Sequence, residues 1–173
     1  MPNKSVVQFL EPKIIAMPPQ KMAVAATQGD PNLVGEPAMK AIYGAVYKLK
    51  FDLKKQGVEF IVAPLRARWL DAHLLPKDQW TALWGLPVPE DTQSLVQKVP
   101  GVDVRLEVWE YGTVAQILHL GEYSAEGPTV KRLHDFIDAS GYQIAGTHEE
   151  EYLTRPGVKD QKTLIRYPVR LKS

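Results

Sequence analysis

The sequence predicts an α+β fold: two pseudo-symmetric strand–helix–strand–strand repeats forming one antiparallel sheet, with two main helices on one face. Three observations predict it. The order strand, glycine turn, proline and amphipathic helix occurs twice, once after Met22 and once after Val114. Each helix is closed by a glycine, Gly57 or Gly141, and followed by further strand segments. Val102, Val104, Leu106 and Val108 alternate with Asp103, Arg105, Glu107 and Trp109, the period-two pattern of a strand buried on one face only. The chain reads as a single domain, with a first repeat at about 20–70, a helical connector at about 71–100 and a second repeat at about 101–171.

Taken in order, Met22 to Thr27 is an apolar strand followed by Gly29 and a polar turn. Pro37 then opens a helix, since proline in the first turn removes an N–H that would be unpaired anyway. Met39, Ile42, Tyr43, Val46, Leu49 and Leu53 give that helix one buried face by their three-and-four spacing. Phe60 to Trp69 is the next strand. Trp80, Leu83 and Trp84 have helical spacing after Pro76, and a second short helix spans Glu90 to Val99 before Pro100-Gly101.

In the second repeat Val114 to Leu120 is a strand, Gly121 a turn and Pro128 a helix start. Val130, Leu133, Phe136 and Ile137 line the helix's buried side up to Ser140. Tyr142 to Ala145, Glu149 to Thr154 and Thr163 to Leu171 are strands. Gly29 precedes Pro37 by eight residues and Gly121 precedes Pro128 by seven, so the two strand-to-helix crossings have nearly equal loops.

A domain of this length buries roughly 70% of the surface its unfolded chain exposes, so a core forms without disulfide staples. The 45% hydrophobic and 24% charged residues are ordinary for a globular protein. Because 21 basic side chains nearly balance 20 acidic ones, nothing in the bulk charge points to nucleic acid or an anionic membrane. Lys48, Lys50, Lys54 and Lys55 form a basic patch that reads as a solvated helix face. With no cysteine there is no disulfide, thiolate metal site or cysteine nucleophile. Met1 to Pro19 lacks the apolar stretch of a leader and no run is long enough to span a membrane, so the expected setting is cytoplasmic.

No phosphate-binding glycine loop, nucleophile elbow or paired-histidine helix is present, and no cofactor is expected. His73, His119, His134 and His148 have no ligand-like spacing, which argues against a metal. His119 lies in an apolar strand and reads as a hydrogen-bonded core residue, His134 as partly solvated on the second helix. In His148-Glu149-Glu150-Glu151-Tyr152-Leu153, three carboxylates interrupt a strand. Alternation puts Glu150 and Tyr152 on one face, Glu149 and Glu151 on the other. If Glu150 faces the open side of the sheet among Trp109, Tyr111 and Tyr123, it is a carboxylate in an aromatic cage. There it pairs with a cation or works as a general acid or base. The alternative is a strand edge kept soluble by charge. Trp80 and Trp84 read as packing; Trp69 and Trp109, each ending a strand, are the better pocket candidates.

His119-Leu120-Gly121-Glu122-Tyr123, then Glu126 and Pro128, Leu133-His134-Asp135-Phe136-Ile137, Gly141-Tyr142 and His148 through Leu153 together resemble the GyrI-like small-molecule-binding domain. Val58 to Trp69 and Lys162 to Val169 are similar to the same family. The resemblance implies a duplicated strand–helix–strand–strand fold of the SHS2 type, with a ligand cleft between the repeats and a glutamate near its floor. By motif position that glutamate is Glu150, with Tyr152 two residues on. The family includes sensing domains fused to DNA-binding helices as well as stand-alone gyrase inhibitors, multidrug-binding proteins and hydrolases of cyclopropane-bearing genotoxins. Having no helix-turn-helix segment, this chain resembles the stand-alone members. Where many of them carry leucine-glutamate-glycine-x-tryptophan, it reads Leu65-Arg66-Ala67-Arg68-Trp69. Arg66 in place of a carboxylate favours binding over hydrolysis, by pairing with Glu150 or with an anionic ligand group.

Two functions follow as expectations. One is binding of a small hydrophobic molecule, neutral or cationic, for sequestration or sensing, with Trp69, Trp109, Tyr111, Tyr123, Glu150, Tyr152 and Arg66 around it. The other is an enzyme, a cyclopropanoid hydrolase in which Glu150 activates water and Tyr152 or Tyr123 donates a proton. A topoisomerase partner, as for the gyrase inhibitors, has no identifiable docking surface in the sequence.

Overall fold

The computed structural model describes residues 4–173, with side chains from Val6 onward. The reading of Met1 to Pro19 as lacking a leader falls partly on Met1, Pro2 and Asn3, which lie outside the described residues. In chain order the elements are α1 (Lys4–Val7), β1 (Lys13–Met17), β2 (Gln20–Gln28), α2 (Pro31–Lys55), β3 (Leu65–Trp69), β4 (Thr81–Pro87), β5 (Arg105–Trp109), β6 (Gly112–Leu120), α3 (Gly127–Ala139), β7 (Tyr142–Ile144), β8 (His148–Tyr152) and β9 (Lys162–Leu171), with short 3-10 turns between some of them. They divide into two compact units, Pro19–Glu110 and Met1–Pro18 with Tyr111–Ser173.

In the Pro19–Glu110 unit the strands run antiparallel in the order β3, β4, β2, β5, and α2 packs on β2 and β4. Ala38, Ala41 and Ala45 are buried on one face of α2, and their short side chains let the helix approach closely. The helix begins at Pro31 and not, as expected, at Pro37. Asp30 caps it by accepting a hydrogen bond from the Asn32 N–H at 2.9 Å, and Pro31 occupies the first position. Pro37 lies inside the helix and deprives only the Leu33 carbonyl of a partner; Leu33 is 77% exposed, so water can serve that oxygen. The two strand-to-helix loops are therefore unequal. At the other end Gly57 adopts φ +77°, and the Gly57 and Val58 N–H groups bond back to Lys54 and Leu53.

The expected connector helices do not form. Trp80, Leu83 and Trp84 belong to the start of β4 or lead into it. From Trp84 to Pro87 its successive residues are all buried, so both faces are covered, and an apolar run buried on two faces reads the same for strand and helix. Glu90 to Val99 has no helix either. Lys21 Nζ donates to the Glu90 and Thr92 carbonyls, and the Gln97 side chain bonds both the N–H and the carbonyl of Val104. The Thr92 N–H closes a turn on the Pro89 carbonyl, and these bonds tie the segment to its neighbours without helical pairing. Of Phe60 to Trp69 only Leu65–Trp69 is strand.

β5 also departs from its expected alternation, since Val108 is 56% exposed and Trp109 is buried. The indole explains the swap. A Cβ at Gly85 would stand 3.0 Å from both Trp109 Cη2 and Met22 Cε, so β4 is glycine where Trp109 lies against it.

The other unit has strand order β1, β6, β9, β8, and β7 pairs with the far half of the β9 edge that β8 occupies. β7 and β8 thus act as one interrupted strand. Each unit accordingly has β-α-β-β order with one added strand on its first strand: β5 beside β2, β1 beside β6. Strand β1 has no counterpart in the sequence reading. α3 covers one sheet face, where Leu133 and Ile137 pack with Ala115, Ile117, Ile165, Tyr167 and Val169. On the opposite face Phe9, Leu118 and Leu164 form a smaller cluster. The breakpoint between β7 and β8 is Gly146, where a Cβ would stand 2.8 Å from Pro168 Cγ.

Candidate functional site

Strand pairing sets which carboxylate faces which way. Glu150 lies opposite Ile165, whose side chain is in the α3-covered core, while Glu149 and Glu151 lie opposite Arg166 and Leu164. The alternation inferred from sequence therefore holds, but Glu150 faces the helix side of its sheet and not an open side. All three glutamates are buried. None is a solvated edge charge.

Around Glu150 a hydrogen-bonded cluster forms. The Tyr152 hydroxyl donates to Glu150 Oε2 at 2.8 Å, and His148 Nε2 lies 2.9 Å from Oε1. An ionised Glu150 only accepts, so Nε2 carries a proton, and Nδ1 and the Tyr167 hydroxyl share a hydrogen bond at 2.6 Å. Tyr167 also meets the rings of His148 and His134 edge-on, at 5.0 Å each. Tyr123, in the turn Tyr123–Ala125, stands edge-on to Tyr152 at 5.6 Å and is 38% exposed, so the cluster reaches the surface there. Glu126, at the N-cap of α3, completes it with a side-chain hydrogen bond to Glu150.

The two carboxyls titrate far apart. Burial, then the hydrogen bond and charge of Glu150, push Glu126 up to about 9. Burial acts to raise Glu150 as well, but the hydrogen bonds from His148, Glu126 and Tyr152 and the charge of His148 outweigh it and hold Glu150 below its ordinary value. At neutral pH the pair thus carries one proton and one negative charge. Burial and the charges of Glu150 and Glu126 raise Tyr123 and push Tyr167 up to about 12. His134 is lowered by burial and by the charge of His148.

The donor atoms of Glu126, His148 and Glu150 lie within 4.8 Å of one another, a spacing shared by metal sites and hydrogen-bonded networks. Here hydrogen bonds already join the three. Spacing among the histidines could not disclose this group, because His148 meets carboxylates and not other histidines.

On the opposite face Glu149 and Glu151 build a buried ion-pair network. Arg166 donates to Glu149 Oε2 at 2.5 Å, to Glu151 Oε2 at 2.7 Å and to Gln116 Oε1 at 2.7 Å. The Tyr111 hydroxyl donates to Glu149 Oε1 at 3.0 Å. Burial opposes the guanidinium's charge, but Glu151 and Glu149 more than offset it, and the Arg166 pKa is raised. Tyr111 therefore serves the face away from Glu150, which corrects its expected place beside it.

Of the other candidates, Trp69, Trp109 and Arg66 lie in the Pro19–Glu110 unit. Trp69 meets Trp84 at 5.3 Å and Trp80 at 5.9 Å, both edge-on, and its indole N–H has no partner among the described residues. Trp84 and Trp80 donate to Thr27 Oγ1 and the Leu75 carbonyl. Trp109 lies beneath the Arg68 guanidinium, 4.2 Å from its ring, and half-buried Arg66 pairs with Gly85 in the β3–β4 register. His119 is buried and bonded to Thr129 Oγ1 and the Glu122 carbonyl, as its strand context implied.

Sequence reasoning did not single out Glu126, His148, Tyr167 or His134 as site residues. His148 was within reach, since it shares the face of Glu150 two residues on. Glu126 stands among the residues that carry the family resemblance, but its segment also reads as a helix start and no spacing sets it against Glu150.

A family model described as GyrI-like small molecule binding domain matches residues 10–172. Among solved structures, an uncharacterized conserved protein from Listeria innocua is 25% identical over 93% of both chains, with TM-score 0.81. A hydrolase from Listeria innocua is 25% identical, with 93% of this chain and 92% of that one covered and TM-score 0.79. The C-terminal domain of EcmrR, 14% identical over 94% and 98% with TM-score 0.64, shares the fold. No curated protein gives a significant match.

Proposed function

Since the chain belongs to the GyrI-like small-molecule-binding domain family, we propose that it binds a small, largely hydrophobic molecule with a cationic part at the cluster around Glu150, to sequester or sense it. The observation that carries this reading is an ionised carboxylate with its oxygens oriented by His148 and Tyr152, bordered by the rings of Tyr123 and Tyr167. Aromatic faces attract both hydrophobic bodies and cations, and a buried carboxylate fixes where the charge goes. Of the residues expected to contact the ligand, Glu150, Tyr152 and Tyr123 support the reading by their grouping. Among the described residues no helix is long and apolar enough to cross a membrane.

The test is titration of the protein with 2-naphthylmethylammonium, followed by naphthalene fluorescence, in the wild type and in Glu150→Gln. Saturable binding that Glu150→Gln weakens supports the reading. Absence of binding by any of a panel of hydrophobic amines and neutral aromatics sinks it.

A second reading is favoured by the split acidity of Glu126 and Glu150. An ionised base beside groups that keep their protons is the equipment for water attack, and a structurally similar Listeria innocua protein is titled a hydrolase. In opening an electrophilic cyclopropane, Glu150 takes a proton from water as its oxygen bonds to the ring carbon. The cleaved carbon–carbon pair moves into the conjugated acceptor, which Tyr152 or Tyr123 protonates. Product formation that Glu150→Gln abolishes would establish this activity.

A further inference from the structure

We propose that Glu126 is the second carboxyl of this site, and that a protonated amine binds by replacing the single proton Glu126 and Glu150 share, so that binding expels that proton. The inference rests on the small-molecule reading above and names the ligand's chemistry. Glu150 has both oxygens engaged, Oε1 with His148 and Oε2 with Tyr152. Glu126 Oε1, in contrast, is buried and accepts from no N–H, hydroxyl or guanidinium donor, so that the Glu150 carboxyl is the one partner its side chain has among the described residues. An unmade hydrogen bond at a buried acceptor is costly, so the position calls for a donor.

The contact between the two carboxyls itself requires a proton, because two carboxylates have only acceptors to offer. An ammonium brings several N–H donors and a full positive charge. It can bond Glu126 Oε1 and Glu150 together and hold both ionised. A neutral alcohol brings one donor and no charge, and a quaternary ammonium brings charge and no donor; neither can replace the proton.

The titratable groups facing the pair are His148 and Tyr152 on β8, Tyr123 in the turn before α3 and Tyr167 on β9, with His134 on α3 behind Tyr167. Tyr123 and Tyr167 are raised and stay neutral in the working range. Any pH dependence from the two histidines would persist in Glu126→Gln, whereas the exchange proposed here would not.

Two measurements test it. In the free protein, carbon-13 resonances of the glutamate carboxyls should show Glu126 still protonated well above the ordinary carboxylate range; ionisation within that range overturns the proposal. Calorimetry with 2-naphthylmethylammonium in buffers of different ionisation enthalpy should show release of about one proton. Between pH 6 and 8 its dissociation constant should then fall roughly tenfold per pH unit. Glu126→Gln should remove both effects. Binding without proton release overturns the exchange while leaving the small-molecule reading intact, as does equal or stronger binding of 2-naphthylmethanol. Failure of both compounds defeats both readings. Binding of Zn2+ or Mn2+ without the amine would overturn it in favour of an inorganic ion.

Discussion

Replacing Glu149 by glutamine removes one charge from a place that water does not reach. Glu149 is 2% exposed, accepts from Arg166 at 2.5 Å and from the Tyr111 hydroxyl at 3.0 Å, and lies in a strand next to Glu150. Breaking a buried ion pair from one side typically costs about 3–5 kcal/mol, most of it the penalty on the charge left behind. Glutamine keeps an oxygen for Arg166, and Glu151 still holds the guanidinium at 2.7 Å, which places the expected loss near the lower end, about 3 kcal/mol. For a chain of this size that corresponds to a midpoint lowered by roughly 6–12 °C. Differential scanning calorimetry with near-ultraviolet circular dichroism measures it and checks that both signals change together. A midpoint within about 1 °C of wild type would refute the reasoning, because a carboxylate that can lose its charge so cheaply is not the buried partner of Arg166.

Glu150→Gln should weaken binding of 2-naphthylmethylammonium by about 1.5–3 kcal/mol, the range for a hydrogen bond to a charged group, as read by fluorescence titration. Stability should depend on pH through Glu126: its pKa is raised on folding to about 9, so the stabilisation is fully present below the ordinary carboxylate range and is lost as pH rises towards 9. Thermal midpoints between pH 5 and 9 should fall in the wild type and flatten in Glu126→Gln. Gly85→Ala should destabilise by about 1–3 kcal/mol and shift the tryptophan emission, because the new methyl meets Trp109 and Met22 at 3.0 Å. Gly146→Ala should unfold at lower denaturant concentration than Gly141→Ala is shifted by strain at φ +80° alone, since only the former strikes Pro168 at 2.8 Å.

Legibility in the sequence followed the range of the interactions involved. The α3 region was clear because its signals are local: Pro128 at the start, Gly141 at the end and an apolar stripe between them. The grouping of Glu150, Tyr152 and Tyr123 was legible for the same reason, from alternation in one strand and a family motif. Partnerships across the chain were not. Glu126 meets Glu150 only after α3 and β7 have turned the chain back, and Arg166 reaches Gln116 across fifty residues of sequence. β1 is a five-residue strand that pairs with β6 about a hundred residues away. β4 misled because a strand buried on both sides loses its period of two, and Pro37 misled because a proline tolerated within a helix resembles one that starts it.

The three successive glutamates of β8 also make the site sensitive to parity. Side chains in a strand take opposite faces in turn, so the glutamate that bonds His148 and Tyr152 and those that neutralise Arg166 differ only in being even or odd along the chain. Inserting or deleting one residue ahead of His148, with β8 kept on β9, would send Glu149 or Glu151 to the face covered by α3 and Glu150 to the face of Arg166. Composition and net charge would be almost unchanged. Length changes of two would restore the facing and move the cluster along the strand. Gly146, where a side chain would strike Pro168, lies at the break between β7 and β8, just ahead of the strand whose parity matters.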